Sequence, residues 1–170
     1  AMLDDETLRD GLQSPSVRTP TIDEKIDILT RMDALGIDTA DIGLPGAGPR
    51  VAADVEQLAR AMSELRLKLK ANCAARTVIA DIKPIADIAQ KTGVPIECCA
   101  FIGSSPIRQY TEGWTLDYLR KATEEAIGFA VREGLTVMYV TEDTTRADPA
   151  SLRALFTTAL RAGASRLCIA

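Results

Sequence analysis

The sequence predicts an α/β fold with a parallel β-sheet, and three observations support this prediction. Strand-like and helix-like segments alternate strictly along the 170 residues. The strand–helix unit recurs about every 30 residues, which is the size of a βα building block. The central strand-like runs are almost entirely apolar, as strands covered on both faces are. Because parallel strands need helical crossovers, this alternation favours a parallel sheet over an antiparallel one.

Helix capping residues and apolar spacing define five helices. The first begins with a capping box, in which Thr21 and Glu24 each accept the other's backbone N–H. The third has Pro84 in its first turn, where a missing N–H leaves no helical bond unmade. The five helices cover about residues 21–36, 51–65, 84–93, 115–134 and 148–163. Six strand-like runs flank them: Met2–Leu8, Asp38–Gly43, Leu67–Cys73, Pro95–Ile102, Thr136–Thr141 and Arg166–Ala170.

Composition and charge narrow the classes of function. Hydrophobic residues make up 46% and charged residues 26%, as in an ordinary globular domain. The net charge of −4, with Lys and Arg scattered, argues against a nucleic-acid surface. Because neither a signal peptide nor a membrane helix is evident, we expect a cytoplasmic protein. The chain has no histidine, so it cannot itself supply His catalysis or His metal ligands.

The four cysteines show no metal-binding spacing. No C-x-x-C pair is present, and two of the four are adjacent, so they would point to opposite faces of a strand. Buried, reduced thiols are therefore favoured over a zinc site. The residues concerned are Cys73, Cys98, Cys99 and Cys168.

Two architectures accommodate six parallel strands: an open doubly wound sheet and a (β/α)8 TIM barrel of about 250 residues. The glycine-rich segment Leu44–Pro49 matches neither G-x-G-x-x-G nor a P-loop, and we interpret it as a rigid connecting loop. The chain ends at Ala170 with a strand that lacks its covering helix. We therefore predict that residues 1–170 are the N-terminal portion of a TIM-barrel catalytic domain. That portion amounts to about five and a half βα units, and we expect no second domain.

Polar residues follow the predicted strands where parallel α/β folds place their sites, at the carboxyl ends. A carboxylate beside a guanidinium, as in Arg9–Asp10, suits a divalent metal paired with a fixed positive charge. Such a pair can stabilise a developing enolate. A surface ion pair is the structural alternative. The residues expected around one mouth are Arg9, Asp10, Gln13, Asp41, Asn72, Arg76, Ser104, Ser105, Thr141, Glu142 and Asp143.

The segment Asp5–Gln13, Asp-Glu-Thr-Leu-Arg-Asp-Gly-Leu-Gln, closely resembles the opening motif of the DRE-TIM metallolyase superfamily. That superfamily includes 2-isopropylmalate, homocitrate and citramalate synthases and 3-hydroxy-3-methylglutaryl-CoA (HMG-CoA) lyase. Further segments resemble its second to fifth strands and their loops, in order along the whole chain: 35–45, 74–76, 101–105 and 142–149.

The resemblance implies a TIM barrel that joins or splits carbon–carbon bonds through an enolate held by Mg, Mn or Zn. Its synthase branch condenses acetyl-CoA, as co-substrate, with a 2-oxo acid and then hydrolyses the thioester. By position, Arg9 matches the catalytic arginine, Asp10 the metal ligand and Glu142 an active-site carboxylate. Gln13 matches a residue that contacts substrate near the metal. Asp41 stands where the family usually has Glu, so its side chain is one methylene shorter.

The resemblance also implies a substrate-binding set that includes Arg76, Met138, Val140 and Thr141. Met138 and Val140 occupy inward positions that are polar in several synthases. Their apolar character favours a small or branched apolar oxo acid over a dicarboxylic one such as 2-oxoglutarate.

The largest departure from the family concerns the metal. The family's His-x-His ligands lie on the seventh strand, beyond Ala170, so the chain carries one of three expected ligands. We therefore expect weak metal binding and no activity from the chain alone. It would be part of a longer enzyme, one segment of a divided sequence, or a half-barrel made on purpose. An open strand edge would then favour a homo-oligomer or pairing with the missing C-terminal half.

Two alternatives to a synthase stay open. Leu12 belongs to the Arg-Asp-Gly-Leu-Gln pattern of HMG-CoA lyases, which favours a lyase running the reverse reaction. The surrounding residues Thr7, Leu8, Ser14 and Pro15 are closer to the synthase pattern. A non-catalytic half-barrel or subunit that needs a partner fragment is the second alternative.

Overall fold

The structure is a computed structural model that describes residues 1–170, and it alternates strands with helices throughout. None of the helices has the length and apolar character needed to cross a membrane. The strands are Asp4–Asp5 (β1), Thr39–Asp41 (β2), Lys70–Arg76 (β3), Ile96–Gly103 (β4), Val137–Glu142 (β5) and Arg166–Ile169 (β6). The α-helices are Ile22–Leu35 (α1), Pro49–Glu64 (α2), Ile79–Thr92 (α3), Pro106–Glu112 (α4), Leu116–Arg132 (α5) and Pro149–Ala162 (α6).

The strand order decides between the two predicted architectures. It is β1-β2-β3-β4-β5-β6, and the pairings β1–β2, β2–β3, β4–β5 and β5–β6 are parallel. A doubly wound sheet reverses its strand order at a switch point, whereas a barrel adds strands in sequence order. The fold is therefore a partial (β/α)8 TIM barrel, as predicted, of about five and a half βα units.

The chain forms two compact units, of which the first comprises residues 1–74 and 84–96. The predicted capping box starts α1: Thr21 Oγ1 accepts from Glu24 N, and Glu24 Oε2 accepts from Thr21 N at 2.8 Å. α1 and α2 bury their apolar faces in this unit. Lys25 on α1 is also buried, and its Nζ pairs with Asp54 Oδ2 on α2 at 2.7 Å. A buried ammonium needs such a partner.

The second unit comprises residues 75–83 and 97–170. Tyr139 on β5 is fully buried, and its hydroxyl lies 2.9 Å from Thr123 Oγ1 on α5. The Phe156 ring of α6 meets the Tyr139 ring edge-on at 6.3 Å. Burial raises the pKa of the Cys98 thiol to about 12, so this thiol stays protonated. The four cysteines form no disulfide; three of them are buried, as predicted, and Cys168 is half-buried.

The bounds of three elements, β1, β3 and α3, were wrongly predicted. β1 ends at Asp5 because the chain turns at once, with Gly11 N donating to Glu6 O at 3.0 Å. β3 starts and ends later, so Asn72 lies inside it and Arg76 is its last residue. α3 begins at Ile79 and holds Pro84 in its interior rather than its first turn.

One α-helix, α4, and the short 3-10 turns were not predicted. α4 is capped by Ser105, whose Oγ accepts from Arg108 N at 3.2 Å, and Pro106 occupies its first position. These are ordinary helix-start signals that its short length obscured. Within the segment interpreted as a rigid connecting loop, Pro45–Ala47 form a 3-10 turn, and Pro49 already begins α2.

Replacing Gly43 with Ala will destabilise the first unit. Gly43 follows β2 with φ of +145°, and an added Cβ would lie 2.7 Å from Val55 Cγ2 on α2. Backbone strain and overpacking together should lower the free energy of unfolding by about 2–4 kcal/mol, measured by urea denaturation. Gly36→Ala is the matched control, because Gly36 has φ of +81° but no atom near its added Cβ. Equal losses in the two variants would contradict the packing argument.

Candidate active site

Three carboxylates surround the Arg9 guanidinium where the chain leaves β1. Arg9 Nε donates to Asp41 Oδ2 at 3.1 Å. Arg9 Nη1 lies 3.2 Å from Asp10 Oδ1, and Nη2 lies 2.6 Å from Glu6 Oε2. The turn that starts at Glu6 folds the backbone so that residues 6, 9 and 10 present their side chains to one another. Arg9–Asp10 is therefore more than a surface pair, since it is anchored to the buried end of β2.

Asp41 is the buried anchor of this cluster. Its side chain is 1% exposed, and its Oδ1 accepts from Gly43 N at 2.9 Å. Although one methylene shorter than Glu, it reaches Arg9 directly. Burial raises the pKa of Asp41 to about 7; the Gly43 hydrogen bond opposes the rise, Glu6 adds to it, and Arg9 offsets it only in part.

The arginine responds to the same surroundings in the opposite sense. Burial lowers the pKa of Arg9, but the charges of Asp41 and Glu6 more than compensate, and the net pKa is raised. Arg9 therefore carries a permanent positive charge that a mostly buried partner holds in one place.

Glu6 is a site residue that the sequence analysis did not single out. Burial raises the pKa of Glu6, the charge of Arg9 opposes this rise, and Asp4 and Asp10 add to it. Its side chain is 44% exposed. The signal that could have found it is spacing, because an acidic residue three positions before an arginine is placed to pair with it in a tight turn.

Asp10 and Gln13 lie on the exposed side of the cluster. The Asp10 side chain is 64% exposed, and Gln13 ends a 3-10 turn that spans Gly11–Gln13. Across the chain, no three side chains of His, Cys, Asp or Glu are grouped closely enough to hold a metal ion. All three carboxylates of the cluster pair with Arg9, and Asp10 is the most exposed of them. The residues present therefore do not form a metal centre by themselves.

A buried polar network lies beside this cluster in the first unit. Asp4 Oδ1 accepts from Thr39 Oγ1 at 2.6 Å and from Asn72 Nδ2 at 2.8 Å. Asn72 is fully buried and stands in register with Asp41 across the β2–β3 pairing. Its Oδ1 has no hydrogen-bond partner. Asn72 therefore braces Asp4 instead of ending a strand as predicted.

In the second unit, alternation along β5 separates the predicted residues into two faces. Val137, Tyr139 and Thr141 are buried, and Met138, Val140 and Glu142 are half-buried. Met138, Val140 and Glu142 therefore share one face. Thr141 lies on the opposite face, where its Oγ1 is 2.6 Å from Thr144 Oγ1. The structure thus separates Thr141 from the other β5 residues of the predicted set.

Glu142 ends β5 next to a constrained backbone. Asp143 has φ of +54°, a left-handed conformation that is uncommon outside glycine, although Asp tolerates it better than most residues. Arg146 Nη1 donates to Asp143 Oδ1 and holds this turn. The Glu142 carbonyl accepts from Ser104 N and Oγ, which ties the end of β5 to the end of β4. The Glu142 carboxylate makes no hydrogen bond within the chain.

Arg76 forms a bidentate ion pair with Asp81 in the second unit. Arg76 Nε lies 2.6 Å from Asp81 Oδ2, and Nη2 lies 2.8 Å from Oδ1. Asp81 is buried in the first turn of α3, while the Arg76 side chain is 65% exposed. This pair joins the end of β3 to the start of α3, which is a structural use of a residue predicted to bind substrate.

Comparison with known proteins places the chain in a family. It belongs to the HMGL-like family, whose sequence profile matches residues 2–170. It is similar to the 2-isopropylmalate synthase of Sulfolobus acidocaldarius, with 32% identity over 166 residues that cover 97% of this chain and 41% of that protein. It is also similar to the cytosolic homocitrate synthase isozyme of Saccharomyces cerevisiae, with 30% identity over 98% of this chain and 37% of that protein. The chain thus spans well under half the length of these relatives.

Solved structures support the fold. The HMG-CoA lyase of Bacillus subtilis matches 99% of this chain and 57% of its own, with a TM-score of 0.74 and 15% identity. The HMG-CoA lyase of Brucella melitensis matches 99% of this chain and 61% of its own, with a TM-score of 0.68. At these identities the likeness establishes the TIM-barrel fold alone. Together with the family assignment it confirms the resemblance found in the sequence.

The buried Asp41 carboxyl should make stability depend on pH. Its pKa is about 7 in the folded chain and about 3.9 in an unfolded one, so between these values only the folded chain holds the proton. Stability from this group is fully present below about pH 4 and is lost as pH rises toward 7. The difference in unfolding free energy between wild type and Asp41→Asn, from urea titrations, should fall by about 1 kcal/mol or more across this window.

Glu64→Gln removes an exposed carboxylate elsewhere and serves as the control for general charge effects. The difference in unfolding free energy between wild type and Glu64→Gln should not change between pH 4 and pH 7. If the difference in unfolding free energy between wild type and Asp41→Asn is constant or grows with pH, then Asp41 is ionised over the whole range. The effect of the Arg9 ion pair on its pKa would then exceed the effect of burial.

Proposed function

We propose that this chain supplies the N-terminal part of an active site for a Claisen-type condensation of acetyl-CoA with a 2-oxo acid, as in 2-isopropylmalate synthase. The observation that carries the proposal is the Arg9 guanidinium held by buried Asp41 beside exposed Asp10, at the carboxyl end of a TIM-barrel strand. The similarity to 2-isopropylmalate and homocitrate synthases supports this branch of chemistry.

Arg9 has the properties required of an enolate stabiliser. A donor stabilises developing negative charge best when it is already fixed in place, because no reorganisation is then needed during the reaction. Asp41 anchors Nε, which leaves Nη1 and Nη2 directed to the more exposed side. An oxyanion of the substrate would bind there.

The proposal assigns acid–base chemistry to Glu142 and metal binding to Asp10. Glu142 is a half-buried carboxylate without a hydrogen-bond partner in the chain, so it can accept the α-proton whose removal forms an enolate. Divalent metals in the family would use Asp10 as one ligand. Because one carboxylate does not make a metal site, no step is assigned to a metal in this chain.

The half-buried face of β5 supports an apolar substrate side chain. Met138 and Val140 lie on the Glu142 face, and Phe101 on β4 stands in register with Val140. Phe101 is half-buried and was missing from the predicted set. Met138, Val140 and Phe101 offer no charge to a second carboxylate, and Arg166, which is in register with Met138, is paired with Glu97. A small or branched 2-oxo acid is therefore the proposed substrate class. Gln13 is also proposed to contact substrate.

One observation favours a second candidate function, carbon–carbon cleavage of an HMG-CoA-like thioester. Leu12 precedes Gln13 in the order typical of HMG-CoA lyases. The chemistry differs in direction and uses the same enolate, so Arg9 would have the same role. A substrate panel distinguishes the two functions directly.

The condensation should be tested with the chain and a complementing fragment. The chain is co-expressed with the portion of the Sulfolobus acidocaldarius 2-isopropylmalate synthase that follows the matched region. The pair is then incubated with acetyl-CoA, Mg²⁺, Mn²⁺ or Zn²⁺ and one of pyruvate, 3-methyl-2-oxobutanoate or 2-oxoglutarate. Mass spectrometry should detect free CoA and condensation product, with 2-oxoglutarate the poorest substrate. Arg9→Lys should lower the rate about 100-fold or more.

Arg31→Lys provides the matched control, because Arg31 is exposed on α1 and pairs with Asp27. It should leave the rate unchanged. Cleavage of HMG-CoA without condensation would establish the lyase instead. A stable complex with neither reaction would establish a non-catalytic half-barrel, and a rate unaffected by Arg9→Lys would overturn the assigned role of Arg9.

A further inference from the structure

Glu6 makes the shortest of the three contacts of Arg9. Its Oε2 lies 2.6 Å from Nη2, against 3.1 Å for Asp41 and 3.2 Å for Asp10. Unlike Asp41, it is not fixed by a second hydrogen bond, and its side chain is 44% exposed. Glu6 is thus close enough to pair with Arg9 and exposed enough to move into solvent.

Each nitrogen of the Arg9 guanidinium already faces one of these carboxylates. A guanidinium presents its N–H groups in a rigid fork, which binds a carboxylate or enolate best through two adjacent nitrogens. Asp41 takes Nε, Asp10 lies at Nη1 and Glu6 takes Nη2. Each adjacent pair of nitrogens therefore already faces a carboxylate at both of its nitrogens. Of the five N–H groups, one on Nη1 and one on Nη2 remain, so a ligand that binds through both would lie beside the carboxylates of Asp10 and Glu6 and compete with them.

The local charge reinforces this competition. One guanidinium faces three carboxylates, so the cluster stays negative even when Asp41 holds a proton, and it repels an anionic ligand. Asp41 is the least able to leave, because it is buried and also accepts from Gly43 N. Glu6 carries a desolvation cost in its present position, and it recovers hydration when it moves to solvent.

We propose that Glu6 is a displaceable counter-ion of Arg9, which occupies Nη2 in the ligand-free chain and leaves when the carboxylate or enolate of a 2-oxo acid binds. The ligand class rests on the proposed function. Glu6 sets the affinity of the site, because a bound oxyanion competes with its carboxylate for Nη2 and is repelled by its charge. Its removal strengthens binding, in contrast to the removal of a residue that contacts the ligand.

The test measures dissociation constants for oxalate and for 3-methyl-2-oxobutanoate in the 170-residue chain by isothermal titration calorimetry. Glu6→Gln should lower Kd about 10-fold, because it removes the competing charge and weakens the contact with Nη2. Glu6→Asp keeps the charge on a side chain one methylene shorter, so it should lower Kd by a smaller factor. Glu64→Gln removes one negative charge far from Arg9 and should change Kd less than 2-fold.

Arg9→Lys separates the failure of this inference from the failure of the proposed function. Binding that Arg9→Lys abolishes, together with an unchanged or higher Kd in Glu6→Gln, would overturn the role of Glu6 and leave the proposed ligand site standing. Binding in no variant, or binding unaffected by Arg9→Lys, would overturn the proposed ligand site and the role of Glu6 with it. Circular dichroism melts establish that each variant is folded before its Kd is compared.

Discussion

The hydrogen bond between buried Asp41 and Arg9 is the constraint on which the first unit's site depends. It joins the turn after β1 to the end of β2. The second oxygen of Asp41 accepts a hydrogen bond from Gly43 N, two residues further along the chain. A buried carboxylate is costly unless it is paired, and removal of its partner leaves that cost uncompensated. The position of Arg9, and with it the positions of Asp10 and Glu6, therefore follows from the need to satisfy Asp41.

The glycine at position 43 shows how backbone and site are coupled. Its N–H donates a hydrogen bond to Asp41, and because it has no side chain, Val55 of α2 can pack against the end of β2. The helix that covers the strand and the carboxylate that ends it are thus positioned by the same residue. A change that moves α2 outward would also move the anchor of Arg9.

The sequence predicted those parts of the fold that depend on local chemistry. The capping box at Thr21, the helix stop at Gly36 and the order of strands and helices depend on local hydrogen bonds and apolar spacing, and the structure confirms them. The start of α3 was missed because Pro84 was assigned to a first turn, whereas the helix tolerates it in its interior. α4 was missed because seven residues offer too little periodicity. Its two start signals, Ser105 and Pro106, also read as a turn.

The candidate site could be predicted where a strand end or a motif marked it. Arg9, Asp10 and Asp41 were identified from predicted strand ends and from the resemblance, and the structure brings them together. Glu6 and Phe101 depend on turn geometry and strand register, which no single residue reveals. Arg76 and Thr141 were predicted to bind substrate, and in the structure both make contacts that hold strand ends in place. A polar residue at a strand end can therefore have a structural use that the sequence does not distinguish from a functional one.

The carboxylates near Arg9 pair with its guanidinium and do not form a metal centre by themselves. A metal and a guanidinium compete for the same oxygen donors, and here Arg9 faces all three carboxylates of its cluster. A metal held by Asp10 would need its other ligands from outside this cluster. Any such ion would also relieve the excess negative charge around Arg9. Metal binding and the release of Glu6 should therefore each favour an anionic substrate, because each makes the site less repulsive to it.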